Sequence, residues 1–194
     1  MPEPIRSVAV FCGSRTGTDP AHAAAAEALG HALAEAGITL VYGGGGVGLM
    51  GIVAEATIAA GGQVNGVIPE FLTRIERPHP KVTELEVTDG MHSRKTRMYE
   101  LSDAFIALSG GLGTMDELME VLTWRQLGLH DKPIILLDIA GWAQPLLALI
   151  EHLVGQGFVG EDGRQLFALA PDVPAAMVLL RRSPAGDGAP SRRL

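Results

Sequence analysis

The chain has 194 residues, a formal net charge of −7, and 47% apolar residues, with aromatics only 5% of the whole. One domain is the economical reading of that length, and it is long enough to bury a real core. The acidic balance excludes a general nucleic-acid surface, which needs a basic face to displace counterions, but leaves room for a pocket that binds a small anion.

So few aromatics call for an aliphatic core, of the kind found in sheets covered by helices on both faces. Cys12 is the sole cysteine. No internal disulfide or zinc cluster can form, and a reducing cytoplasm is the expected setting.

Short β-branched runs alternate with longer helical patterns, the mark of βαβ units and a parallel sheet. Residues 8–12 read as the first strand, far too short for a secretory or membrane-spanning segment. Asp19 and Pro20 then supply an N-cap and a first-turn proline for a helix that runs to Gly37. That helix is alanine-rich but interrupted by His22, Glu27, His31 and Glu35, so no membrane association is expected. Residues 38–42 form the second strand, ending in Gly43-Gly44-Gly45-Gly46-Val47-Gly48, and a helix follows over 49–60. Residues 63–68 are the third strand, halted by Pro69.

The charged, proline-rich stretch 70–81 shows no period and reads as an irregular, partly mobile loop. A short strand at 85–87, a helix at 90–102 and a buried strand at 104–108 come next. Residues 109–114 turn the chain into a helix that ends at Gly128. Residues 134–137 are a further strand, 145–155 a helix, 166–168 a last strand and 174–180 a last helix. The expected fold class is α/β, a doubly wound parallel sheet in three layers, as one domain over residues 1–180. Residues 181–194, with four arginines and almost no apolar content, read as a disordered tail.

Strand, glycine turn and helix follow one another twice, at residues 43–48 and 110–114. Such a turn presents bare N–H groups at a helix N-terminus, where the dipole favours an anion and no Cβ blocks a phosphate. In an open parallel sheet these turns lie at the carboxyl ends of strands, where ligands bind. A single turn is as well explained as a tight connection; two in one small sheet favour a phosphate-bearing ligand. Candidate contacts are Gly44 and Gly45 in the first turn and Gly110, Gly111, Gly113 and Thr114 in the second. Ser14, after the first strand, adds a hydroxyl or is simply a turn residue.

The dinucleotide fingerprint is incomplete, because Leu49 stands where its third glycine belongs and no acidic residue ends the next strand. No Gly-Lys-Ser/Thr of a P-loop occurs either. A mononucleotide or sugar phosphate remains. No cofactor and no metal are called for, since the six histidines lack ligand spacing and read mostly as surface residues.

Arg94 falls three residues after Met91 and four before Met98, on the apolar stripe of its helix. It is either buried against a partner or an anion, or it snorkels from the stripe's edge. Lys95 and Arg97 read as solvated, and Cys12 as core. Glu117 reads as an acidic residue in the first turn of the helix after the second glycine loop. There it is a cap or, beside a sugar phosphate, a carboxylate that orients water or stabilises an oxocarbenium ion.

In order along the chain stand Val10-Phe11-Cys12-Gly13-Ser14, Tyr42-Gly43-Gly44-Gly45, Gly48-Leu49-Met50-Gly51, Gly66-Val67-Ile68-Pro69, Met91-His92-x-Arg94-Lys95 and Ser109-Gly110-Gly111-Leu112-Gly113-Thr114-Met115-Asp116-Glu117. From about residue 7 to residue 170 the chain resembles the LOG (Lonely Guy) family of cytokinin riboside 5′-monophosphate phosphoribohydrolases. The resemblance implies a Rossmann-like homodimer that cleaves the N-glycosidic bond of adenine-type nucleoside 5′-monophosphates, AMP and its N6-substituted forms. The products are the free base and ribose 5-phosphate.

It also implies Arg94 and Glu117 as the catalytic pair, with substrate contacts at Glu76, Lys95, the loop from Gly111 through Met115 and Asp116 to Glu117, and Thr123. Members are often labelled lysine decarboxylase, but nothing in the sequence suggests a pyridoxal phosphate lysine. The family motif opens with proline where this chain has Ser109, which keeps an N–H and a hydroxyl and gives a looser turn. Two alternatives stay open: a nucleosidase for purine and pyrimidine monophosphates generally, and a protein that binds a nucleotide without cleaving it.

Overall fold

The computed structural model describes residues 4–75 and 77–183. Strands and helices alternate as β1 (Ser7–Phe11), α1 (Pro20–Glu35), β2 (Thr39–Tyr42), α2 (Gly48–Ala59), β3 (Val64–Pro69), α3 (Glu70–Thr73), β4 (Glu84–Thr88), α4 (Met91–Glu100), β5 (Ala104–Ala107), α5 (Leu112–Gln126), β6 (Ile134–Leu137), α6 (Gln144–Gly155), β7 (Ala168–Ala170) and α7 (Val173–Arg182). The seven strands form one parallel sheet in the order β4-β3-β2-β1-β5-β6-β7. The chain winds outward from β1 to β4, returns to place β5 on the other side of β1, and winds outward again. That reversal is the topological switch point, and it opens a crevice at the carboxyl ends of β1 and β5.

Alternation along the strands divides the core into two faces. Val8, Val10 and Cys12 pack with Leu40, Tyr42 and Ile106 under α1, α2 and α7. Ala9 and Phe11 point the other way, with Val41, Phe105 and Leu136, against α4, α5 and α6. Both faces being buried explains why the strands read as unbroken apolar runs. The structure is therefore the three-layer α/β arrangement expected.

Local signals place most boundaries. Asp19 caps α1, its Oδ1 accepting from the Ala21 N–H at 2.9 Å, and Gly37 follows the helix with φ +67. The last strand begins two residues later than the sequence suggests, because a 3₁₀ turn at Glu161–Gln165 takes up the chain before it and Ala168 pairs with Ile135. Helix α7 runs through Arg182, so the first two residues of the expected tail belong to a helix. The rest of that tail, from residue 184, lies outside the described residues.

The stretch read as an irregular loop is partly ordered by its neighbours. It opens with the short α3. Residues 77–79 are then strapped to the first glycine turn, Gly46 N–H donating to Arg77 O at 2.9 Å and His79 N–H to Gly44 O at 3.1 Å. Of the histidines read mostly as surface residues, His79 and His130 are the buried exceptions, hydrogen-bonded to Glu55 and to the Val121 carbonyl. Among the described residues no helix is long and apolar enough to cross a membrane.

Candidate active site

A cavity of about 600 Å³ occupies the crevice at the switch point, a volume that suits a mononucleotide-sized ligand. Two loops form its rim, the one after β1 (residues 12–17) and the one after β5 (residues 109–114). Gly13 N–H donates to Ser109 O at 3.0 Å and locks the loops together, while Leu49 N–H donates to Gly13 O at 2.9 Å and seats the start of α2. Gly48 makes this seat possible: its φ is +61, and a Cβ there would stand 2.2 Å from the Ser14 carbonyl carbon. On the far wall the Trp142 indole N–H donates to Gly110 O at 3.0 Å.

Arg94 and Glu117 also line the cavity. Arg94 is only 6% exposed. Its Nε donates to Val67 O at 3.1 Å and its Nη2 to Gly43 O at 3.3 Å, carbonyls at the carboxyl edge of the sheet. The same Nη2 lies 3.5 Å from Glu117 Oε1. Arg94 is thus buried against a partner and does not snorkel. Glu117 is 8% exposed. Because α5 starts at Leu112, Glu117 stands in its second turn and not its first, so capping and the helix dipole, which fade beyond the first turn, do not account for it. Its defining neighbour is the arginine. Below them, burial and the nearby Glu117 carboxylate push the Cys12 thiol far up, which leaves Cys12 an inert core residue.

Lys95 is not solvated. Its Nζ lies 3.2 Å from Asp116 Oδ2 and 3.1 Å from Glu120 Oε2, tying α4 to α5 beside the Arg94–Glu117 pair. Burial alone would lower its pKa, but the hydrogen bonds it donates to Glu120 and Asp116 outweigh it and raise the value.

The cavity gathers Ser14, Gly110, Gly111, Gly113 and Thr114 with Arg94 and Glu117. A Cβ at Gly111 or Gly113 would meet nothing within 4 Å, so this turn is open to the crevice. Gly44, Gly45, Lys95, Met115, Asp116 and Thr123 do not line the cavity. Gly44 and Gly45 lie under the 77–79 strap. Met115 packs on the core beneath α5. Thr123 is exposed, its hydroxyl donating to Met119 O at 2.7 Å. Glu76 lies outside the described residues.

The loop facing the second glycine turn is therefore the β1–α1 connection rather than the first glycine turn, whose Gly43 instead makes room for Arg94. Sequence reasoning also missed His22 and Trp142 on the cavity walls. Neither sits in a pattern that marks it, since each reaches the site from a distant element. Arg15, beside Ser14, was open to detection from its place after the first strand.

These features define a class of protein: a Rossmann-like α/β domain with a buried arginine–carboxylate pair and an open glycine turn at its switch point. A family model described as "possible lysine decarboxylase" matches residues 50–180. The chain is 47% identical to the cytokinin riboside 5′-monophosphate phosphoribohydrolase of Rhodococcoides fascians, over 91% of this chain and 89% of that protein. It is likewise 47% identical to the phosphoribohydrolase LOG of Oryza sativa subsp. japonica, over 86% of this chain and 69% of that one. The chain belongs to this family, that of the LOG phosphoribohydrolases.

Among solved structures, the molybdenum cofactor carrier protein of Chlamydomonas reinhardtii shares the fold, with a TM-score of 0.70 at 23% identity over 93% of this chain and 97% of that one. The molybdenum cofactor binding protein of Rippkaea orientalis is similar at a TM-score of 0.70 and 25% identity, over 93% and 96%. The words "lysine decarboxylase" find no site here. The chain has three lysines, Lys81, Lys95 and Lys132, and none lines the cavity, so no amine is placed there for a pyridoxal Schiff base.

Proposed function

We propose that this chain hydrolyses the N-glycosidic bond of adenine-type nucleoside 5′-monophosphates, AMP and its N6-substituted cytokinin forms, to free base and ribose 5-phosphate. The observation that carries the reading is the buried Arg94–Glu117 pair beside an open glycine turn. The 5′-phosphate occupies the turn at 110–114, held by backbone N–H groups at the start of α5 and by the Thr114 and Ser14 hydroxyls. The ribose then lies over Glu117. As the bond from C1′ to the base breaks, positive charge grows on the sugar and the carboxylate stabilises it. Water adds to C1′ and gives up a proton through Glu117, and the departing base takes up a proton. Arg94, 3.5 Å away, holds the carboxylate in place.

Incubation with AMP or isopentenyladenosine monophosphate should release the base and ribose 5-phosphate. Glu117→Gln should fold normally and release both roughly a thousandfold more slowly. No cleavage of either nucleotide by the unaltered protein would sink the reading.

A homodimer is part of the same proposal. Leu112 and Met119 on α5 and Leu127 just past its end are exposed, apolar residues of the kind that an interface covers. Light scattering after size exclusion would report its mass. A cytoplasmic setting accords with the lone buried thiol.

A further inference from the structure

Ser109 opens the loop after β5, at the position where the family motif carries proline. It is buried, and its Oγ lies 2.8 Å from Nδ1 of His22, 87 residues away in the first turn of α1. The His22 N–H is itself fixed to Asp19 O at 3.2 Å. The ring is packed as well as bonded, for a Cβ on Gly17 would stand 3.0 Å from its Cδ2. The imidazole is thus pinned at one nitrogen and along one edge, and it lines the cavity together with Gly110, Gly111 and Arg15. When the serine hydroxyl donates to Nδ1, the neutral ring carries its hydrogen on Nε2. An anion in the cavity favours that tautomer over the reverse one. Proline could offer no such hydroxyl, so the device belongs to this chain's departure from the motif.

We propose that His22, oriented by Ser109, is a further ligand-binding residue that donates an Nε2 hydrogen bond to the phosphate end of the ligand. The inference rests on the reading above that a sugar phosphate occupies the loop after β5. It assigns the α1 side of the cavity to phosphate recognition, opposite the side that holds Arg94 and Glu117.

The test uses the full chain, with ribose 5-phosphate and ribose as probes. Calorimetry should show ribose 5-phosphate binding weakened about tenfold by His22→Phe, the scale of one hydrogen bond to a charged group. Ser109→Ala should weaken it less, because it removes only the orienting partner. In the unaltered protein with ¹⁵N-labelled histidine, the His22 Nε2 resonance should move on adding ribose 5-phosphate and stay put with ribose. A purely structural role for the pair would lower thermal stability without moving that resonance.

An unchanged Kd in folded His22→Phe, or an unmoved resonance at saturation, overturns the inference. If that variant does not fold, the resonance decides alone. Cleavage of AMP by a protein whose His22 ignores the phosphate would overturn this inference and leave the function standing. Failure to bind both ribose 5-phosphate and AMP would overturn both.

Discussion

The room left by Gly43 at the end of β2 is filled by the guanidinium of Arg94, and a Cβ at Gly43 would stand 2.0 Å from its Nη2. Gly43 therefore acts on the site through the arginine, without touching the cavity. Gly43→Ala should push the guanidinium away from Glu117 while the sheet still forms. A misplacement of about 1 Å in a catalytic group costs on the order of a hundredfold in rate. Adenine release from AMP should fall by about that factor with circular dichroism unchanged, and near-normal turnover would refute the coupling.

Glu117→Gln and Arg94→Ala should separate chemistry from stability. Glutamine keeps the shape of Glu117 but not its charge, so turnover should drop roughly a thousandfold, within the range for loss of an acid–base group. Arg94→Ala should cut turnover too, and also leave the Val67 and Gly43 carbonyls without the guanidinium that donates to them. A buried acceptor left without its donor costs about 1–3 kcal/mol. Urea denaturation of the two variants should show the larger loss for Arg94→Ala.

Gly48→Ala probes the seat of α2. Its φ of +61 disfavours any side chain, and the added Cβ would meet the Ser14 carbonyl carbon at 2.2 Å. The loop after β1 must shift, at a cost of about 1–3 kcal/mol for strain of this kind. Thermal denaturation should register the loss, and AMP binding should weaken because that loop rims the cavity.

His130 should make stability depend on pH. Its Nε2 donates to Val121 O at 3.0 Å and its Nδ1 accepts from Lys132 N–H at 3.1 Å, a pattern that only the neutral ring can make. Burial holds its pKa below the ordinary 6.5. On acidification the unfolded chain takes up this proton first. The contribution of the neutral ring is therefore fully present above pH 6.5 and is lost as pH falls toward the folded value. Denaturant midpoints at about pH 7.5 and about pH 5.5 should differ more for the unaltered protein than for His130→Gln. Parallel losses would contradict this assignment.

The sequence by itself determined the alternation of strands and helices, the cap at Asp19, the strand at Ile134–Leu137, the open glycine turn after β5 and the presence of Arg94 on an apolar stripe. These rest on interactions within a few residues of one another, whose spacing is written along the chain. It also held the motifs that mark the family. Tertiary structure decided the rest. Only the neighbouring of β1 and β5 brings Gly13 to Ser109, and only the packing of α4 against α5 brings Arg94 to Glu117 and Lys95 to Asp116. The same holds for Gly43, whose missing side chain has meaning only once Arg94 stands beside it. His22 and Ser109 meet across 87 residues through one hydrogen bond. A single contact of that kind leaves no periodic trace, because its partners are set by the winding of the sheet and not by the residues next to them.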